Sequence, residues 1–356
     1  VPEPPRILVV RLSALGDVLA TLPAFAHLRA TLPGARFAWA VEAPFAPLLE
    51  DLPGLDETFL FRTKRWRKNL LATETRTALL RSFDELRSFR PDVAIDFQGT
   101  LKSAAVTRFS GASTRIGLGP GELRERGAAL AYADRAQGIR NEESPAAPLR
   151  ALRLAAHVVA RLTERAESAG PDPPPRPFAL HVPSDPEGRV ASFVATLDAP
   201  FVLLQPGAGW RNKEWGAARF GTLAERLRSE RGWIPVVGWG PGEEPLAREV
   251  VETSKGTARL APPTGIRELA FLASQAQAMV GGDTGPVHLA AGLGVPTVGI
   301  LGPTGSRRHA PWGPRTKVVE LPLDCRPCER RFSDRKPCLE RIDVESVMAS
   351  VIELAR

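Results

Sequence analysis

Val280-Gly281-Gly282-Asp283-Thr284-Gly285-Pro286-Val287-His288-Leu289-Ala290-Ala291 is the stretch on which the fold turns. The apolar run that leads into it, Ala278 to Val280, reads as a buried strand, and Val287, Leu289, Ala290 and Leu293 after it suit a helix. Glycines, an acid, a hydroxyl and a proline lie between, so the order is strand, tight turn, helix N-terminus. Such a turn offers unpaired backbone N–H groups and the positive end of a helix dipole, which together suit a phosphate. Gly281, Gly282 and Gly285 allow close backbone approach, and Pro286 fits the first helical turn. Alone, the window reads equally well as an ordinary strand-to-helix turn of an α/β domain. A second turn of the same type near the other end of the chain tips the balance.

That second turn follows Arg6-Ile7-Leu8-Val9-Val10-Arg11, a short apolar run of strand type. Leu12 to Asp17 is the turn, and Leu19, Leu22, Phe25 and Ala26 recur at helical spacing to about Thr31. Strands at Phe37–Val41, Phe59–Phe61 and Asp92–Asp96 and helices at Glu74–Phe89, Lys102–Phe109 and Pro145–Ala166 continue the first half. Between Gly170 and Pro177 the prolines exclude both a helix interior and a central strand, which predicts a stiff linker over 171–177. The alternation then repeats. Strands are expected at Phe201–Gln205, Ile234–Val237 and Val295–Leu301, and helices at Ala217–Arg231, Glu244–Thr253, Ile266–Ser274 and Asp343–Leu354. Strands alternating with helices imply parallel, doubly wound α/β sheets, one in a domain over 1–170 and one over 178–340. Ligands of such sheets sit at the carboxyl ends of the strands, and two domains facing each other would form a cleft with two walls.

A chain of 356 residues has room for two such domains. No apolar run reaches the roughly 18 residues that span a bilayer. Arg11 follows the short run Ile7–Val10 at once, which is not the pattern of a signal peptide, so a cytoplasmic protein is expected. The 3 cysteines are few and odd in number, as in a reducing compartment. The net charge of +7 favours an anionic partner: a nucleotide, a phosphorylated lipid surface or a nucleic acid.

Asp17, after Gly16, stands at the carboxyl end of the first strand and at a helix N-terminus. It reads either as a helix cap or as a general base for an incoming hydroxyl. Lys213, in Arg211-Asn212-Lys213-Glu214-Trp215, is either a solvated loop charge or a phosphate partner of the 282–286 turn. Glu243 and Glu244 follow Gly240-Pro241-Gly242 and suit ribose hydroxyls as well as they suit a helix's first turn. The run Gly238–Gly242 lacks the third glycine of a dinucleotide fingerprint, and no P-loop or nucleophile elbow is present. Lys64-Arg65-Trp66-Arg67-Lys68 is a solvated charge run or a clamp for a phosphorylated acceptor. No nucleic-acid-binding motif accompanies it, so nucleic acid is not an expected partner. Cys325, Cys328 and Cys338 offer three ligands where a structural metal site usually has four, so neither a metal nor another cofactor is expected.

Arg11-Leu12-Ser13-Ala14-Leu15-Gly16-Asp17-Val18, then Thr21-Leu22-Pro23, resembles the N-terminal signature of the bacterial ADP-heptose glycosyltransferases, glycosyltransferase family 9. Gly282–Ala291 resembles its C-terminal signature, and Gly302-Pro303-Thr304 the segment after it. Lys213-Glu214-Trp215 is similar to a Lys-x-Trp element of the family's lipopolysaccharide-core branch. The resemblance implies a GT-B fold, with two Rossmann-like domains facing a central cleft. The acceptor would lie on the first domain and the sugar nucleotide on the second, and the terminal helix, 341–356, would cross back onto the first. It implies Asp17 as base in an inverting transfer from ADP-heptose. Lys213 and the amides of Thr284 and Gly285 would stabilise the leaving diphosphate without a metal. Asp283 would shape the turn or touch the sugar, and His288 would contact the ligand or pack the helix. Acceptor contacts are implied at Ser13, Gly16, Lys64, Arg65, Arg67, Lys68, Gln98, Lys102 and Arg124, for a Kdo-bearing lipid A acceptor. The protein would then work as a peripheral protein at the inner face of the cytoplasmic membrane. An alternative from another class is a non-catalytic paralogue that only holds a nucleotide or glycan; the presence of both Asp17 and Lys213 speaks against it.

Overall fold

Ile7, Leu8, Val9 and Val10 are wholly buried, which is possible only for a strand with neighbours on both edges and cover on both faces. The computed structural model of the chain describes residues 3–69, 71–136, 146–163, 185, 188–323, 328 and 337–355. It divides into two compact units, Val1–Asp172 and Pro173–Arg356. The linker expected over 171–177 lies outside the described residues.

The first unit runs β1 (Arg6–Val10), α1 (Leu15–Thr31), β2 (Arg36–Glu42), β3 (Glu57–Phe61), the single turn α2 (Thr63–Trp66), α3 (Thr73–Ser88), β4 (Val93–Asp96), α4 (Leu101–Phe109), β5 (Thr114–Gly117), β6 (Asp134–Arg135) and α5 (Ala147–Thr163). Its six strands are parallel in the order β3-β2-β1-β4-β5-β6. The order reverses between β1 and β4, whose ends Val10 and Asp96 lie in register. Phe25 of α1 meets Phe37 edge-on at 5.4 Å and Trp39 at 5.7 Å, both on β2. Such aromatic pairs add about 0.5–1.5 kcal/mol each beyond the area they bury. They seat α1 on the sheet and so decide where its first turn, with Asp17, can lie.

The second unit runs α6 (Arg189–Ala195), β7 (Phe201–Gln205), α7 (Ala217–Arg231), β8 (Ile234–Val237), α8 (Glu244–Thr253), β9 (Arg259–Leu260), α9 (Ile266–Ser274), β10 (Ala278–Gly282), α10 (Gly285–Gly292), β11 (Thr297–Leu301), α11 (Ser306–His309), β12 (Thr316–Glu320), α12 (Pro337–Glu340) and α13 (Val344–Leu354). Its sheet is also parallel and six-stranded, in the order β12-β11-β10-β7-β8-β9. Here the order reverses between β7 and β10. A Cβ on Gly281 would come within 2.8 Å of the Gln205 carbonyl and of Val287 Cγ2, so the residue between β7 and α10 has to be glycine.

Among the described residues the apolar runs of the sequence fall on strands or helices, with shifts of a residue or two at the ends; the ends expected at Pro145 and Ala166 lie outside the described residues. The unforeseen strands are β5, β6, β9 and β12. Two of them have only two residues, and the half-buried β12 (Thr-Lys-Val-Val-Glu) is an edge strand that needs no apolar cover on both sides. In α13, Val347, Met348 and Val351 are buried in the second unit's core with Val280, Val298 and Ile300. Its apolar face is thereby satisfied locally. Among the described residues, no helix is long and apolar enough to cross a membrane.

Gly281→Ala is expected to lower stability by about 1–3 kcal/mol through overpacking. Gly34→Ala, where an added Cβ meets nothing within 4 Å, should change it by less than about 0.5 kcal/mol. Urea unfolding of both variants checks this; equal midpoints would mean that the β7–β10–α10 contact is not tight.

Candidate active site

Each unit gathers a cluster of charged side chains where its strand order reverses, the position at which open α/β sheets bind ligands. In the first unit β1 is followed directly by Arg11, which is buried. Its Nη2 lies 2.7 Å from Asp17 Oδ1, and Nη1 donates to the Phe97 carbonyl at the end of β4. Burial pushes the Arg11 guanidinium below its usual value, and Asp17 opposes that shift. Arg124 reaches the other oxygen of Asp17 at 3.4 Å, and the Ala14 amide lies at 3.4 Å from it. The Asp17 side chain keeps 19% exposure, so the carboxylate is held by arginines yet open to a ligand.

Gln98 is buried, and its side-chain oxygen accepts from the Leu12 and Ser13 amides at 2.8 and 3.2 Å. It therefore holds the β1–α1 turn in place. Asp96 fixes Gln98 in turn, since Oδ1 accepts from the Gln98 and Gly99 amides at 2.7 and 3.1 Å, and Tyr132 donates to Oδ2 at 2.7 Å. Burial pushes the Asp96 carboxyl up; these hydrogen bonds pull it back. Lys102 Nζ donates to Ser13 Oγ at 2.7 Å and to Glu42 Oε1 at 3.0 Å, with Thr63 Oγ1 at 3.5 Å. Gly16 sits in the first turn of α1. Trp66 is buried against Phe61, while Lys64, Arg65, Arg67 and Lys68 are exposed and carry no ion pair among the described residues.

In the second unit a Cβ on Gly282 would meet the Lys213 carbonyl at 2.9 Å, so the turn Arg211–Lys213 lies directly on the end of β10. This brings Lys213 Nζ to 2.6 Å from Asp283 Oδ2 and 4.6 Å from the Trp210 ring centroid. His288 Nε2 lies 3.1 Å from Asp283 Oδ1, and His309 Nδ1 lies 3.5 Å from Oδ2. Burial alone would raise the Asp283 carboxyl; hydrogen bonding to His288 and the charges of His288, Lys213 and His309 outweigh it and hold the carboxyl well below the usual range. Thr284 is the N-cap of α10, with Gly285 and Pro286 in its first turn, where helical N–H groups have no helical acceptor.

The two adjacent glutamates part company. Glu243 Oε2 accepts from Gln205 Nε2 at 3.2 Å and from the Gly240 amide at 2.9 Å, and its carboxyl lies where a Gly207 Cβ would be. Glu244 pairs with Arg248 at 2.6 Å on the surface of α8. Only Glu243 stands at the strand ends. Sequence reasoning assigned no role to Arg11, Glu42, Gln205 or His309. Arg11 had a signal, as a charge directly after four buried apolar residues; His309 had none, because a loop of the third strand end delivers it. Cys325 lies outside the described residues, Cys328 is a free thiol, Cys338 is buried, and among the described residues no three metal-binding side chains cluster.

The family profile of glycosyltransferase family 9 (heptosyltransferase) matches residues 79–339. The chain is 31% identical, over 94% of its length, to lipopolysaccharide heptosyltransferase 1 of Pseudomonas aeruginosa, and spans 89% of that protein. The E. coli heptosyltransferase WaaC solved with ADP aligns at a TM-score of 0.77 and 23% identity, over 98% of this chain and 99% of that one. The same enzyme solved with ADP-2-deoxy-2-fluoro heptose gives 0.75 and 24%, over 98% and 99%. The fold is that of these two structures.

The depressed Asp283 contributes stability that is complete above the ordinary aspartate range and is lost as pH falls through it toward the folded value. Asp283→Asn is therefore expected to cost about 3 kcal/mol near neutral pH, with the deficit shrinking below about pH 4. Unfolding curves of both proteins across that range test it; a deficit independent of pH would show that the ion pair is not its source.

Proposed function

The chain belongs to glycosyltransferase family 9, the heptosyltransferases, and we propose that it moves a heptose from ADP-heptose to the Kdo-bearing lipid A inner core, as a lipopolysaccharide heptosyltransferase of type I. The observation that carries this reading is the contrast between the two reversal points: an open carboxylate held by arginines in one sheet, and a lysine at a helix N-terminus in the other. The first suits a hydroxyl that must lose a proton, the second a diphosphate that must leave. Among relatives, the Pseudomonas protein is named lipopolysaccharide heptosyltransferase 1, and E. coli WaaC was solved with ADP-2-deoxy-2-fluoro heptose.

In this mechanism Asp17 takes the proton of the acceptor hydroxyl. The oxygen attacks the anomeric carbon from the face opposite the diphosphate, the bond to the β-phosphate oxygen breaks, and the centre inverts. Positive charge develops on the sugar ring and negative charge on the departing ADP. Lys213 and the Thr284 and Gly285 amides meet that negative charge, with the helix dipole adding to them. They supply what a divalent ion supplies in other transferases, so transfer proceeds in EDTA. Glu243 binds the ribose. Arg11 holds Asp17 in position, and Ser13, Lys102 and Arg124 line the acceptor side. The exposed Lys64, Arg65, Arg67 and Lys68 meet the phosphates and carboxylates of the acceptor and bring the protein to an anionic membrane surface as a peripheral protein.

Asp17→Asn is expected to lower kcat by about 10²–10⁴-fold, the usual worth of a general base, with ADP affinity nearly unchanged. Unchanged turnover would remove Asp17 as base. Lys213→Ala should weaken ADP binding and slow transfer together; if neither moves, the phosphate role is wrong. The acceptor is tested by transfer in EDTA to a short Kdo acceptor and, in parallel, to one already carrying a heptose. Transfer only to the second would move the protein to type II, and ADP binding without transfer to either would favour the non-catalytic paralogue.

A further inference from the structure

The imidazole of His309, in the second unit's half-site, takes part in no step above. His309 closes α11 after β11, whereas Lys213 follows β7 and Asp283 follows β10, so three strand ends converge on one carboxylate. Asp283 Oδ2 takes Lys213 at 2.6 Å and has His309 at 3.5 Å; Oδ1 takes His288 at 3.1 Å. With both imidazoles neutral, Lys213 and Asp283 cancel and the cluster has no net charge. That is a poor receptor for a diphosphate, which brings several negative charges. Each proton taken up by an imidazole makes the cluster more positive.

The two histidines are not equivalent. His288 is within hydrogen-bond distance of the carboxylate, while His309 at 3.5 Å is only loosely held. The His309 side chain is 36% exposed against 9% for Asp283, so an incoming ligand can meet the imidazole where it cannot meet the carboxylate.

We propose that His309 is a further donor-binding residue, which takes up a proton as the nucleotide diphosphate arrives and so adds the positive charge that the Lys213–Asp283 pair cancels. The proposal rests on the reading that the sugar nucleotide binds in the second unit. The groups that face His309 agree with it. Burial pushes the imidazole below its ordinary value, Arg308, Lys213 and His288 push the same way, and only Asp283 opposes them. Without ligand the ring is therefore mostly neutral near neutral pH, and a diphosphate beside it reverses the balance. Donor binding then draws in a proton, and the contribution of His309 to affinity grows as pH falls.

The test is calorimetric titration of the full chain with ADP from about pH 6 to about pH 8.5, in buffers of different ionisation heat, for wild type, H309Q and H288Q. Comparing variants at one pH removes the titration of ADP's own phosphate. Wild type should take up more protons than H309Q. H309Q should bind about tenfold more weakly near pH 6, and within about twofold of wild type near pH 8.5. H288Q should keep the proton uptake. Equal uptake and equal affinity of wild type and H309Q across the range would overturn the proposal, and so would a deficit of H309Q that does not vary with pH. If H309Q fails to fold, NMR titration of the wild-type His309 ring decides: its pKa should rise when ADP is added, and an unmoved pKa overturns the proposal. If wild type binds no ADP at any pH, the donor-site reading itself falls, and this one with it.

Discussion

A parallel strand buried on both faces can keep charge only at its ends. In this protein β1 is wholly buried from Ile7 to Val10, and β7 and β10 are buried along their lengths, so Arg11, Gln205, Gly282 and Asp283 mark the first places where polar chemistry becomes possible. Where the strand order reverses, the connections on the two sides lead away from each other, and the carboxyl ends stay uncovered. The first sheet reverses between β1 and β4, the second between β7 and β10. Each unit thus has one position at which polar groups can gather without being buried unpaired.

The two units use that position in opposite ways. In the first, the groups around the carboxylate hold a backbone turn. Asp96 fixes Gln98, Gln98 fixes the Leu12 and Ser13 amides, and Arg11 ties Asp17 to the end of β4. Asp17 is presented by a scaffold that is itself satisfied, which suits a group that must keep one geometry while a proton moves. In the second, the carboxylate is the buried member, and the cations around it are nearer the surface. Asp283 organises Lys213, His288 and His309, so in the proposed donor complex the ligand would be met by the groups that Asp283 holds. The proposed reaction would use both kinds of site, since one substrate would give up a proton and the other part with a diphosphate.

Much of this was legible from residue order. Continuous apolar runs marked the central strands because parallel strands need cover on both faces, and the Gly-Asp and Gly-Asp-Thr-Gly-Pro turns marked carboxyl ends of strands, the kind of position at which open α/β sheets bind ligands. Edge strands such as β12 escaped, because a strand with one free edge and half-exposed side chains has no such requirement. The neighbouring Glu243 and Glu244 could not be separated by sequence, since both suit a helix start. Only the close approach of Glu243 to Gly207 and Gly240, against the pairing of Glu244 with Arg248 on the helix surface, tells them apart.

The sequence by itself determined two doubly wound α/β halves and the turns at their strand ends, because hydrophobic periodicity and turn chemistry are local properties of the chain; the family came from the resemblance of its two signature stretches. The tertiary structure alone decided the strand order that puts β1 beside β4 and β7 beside β10, and the packing of α13 on the second unit. It also decided that Gln98 supports a turn, that Arg11 holds Asp17, and that His309 joins Lys213 on Asp283. Apart from the Arg11–Asp17 pair, those are contacts between residues tens of positions apart, and their partners are chosen by which strand ends meet at the edge of a sheet, which no local pattern encodes.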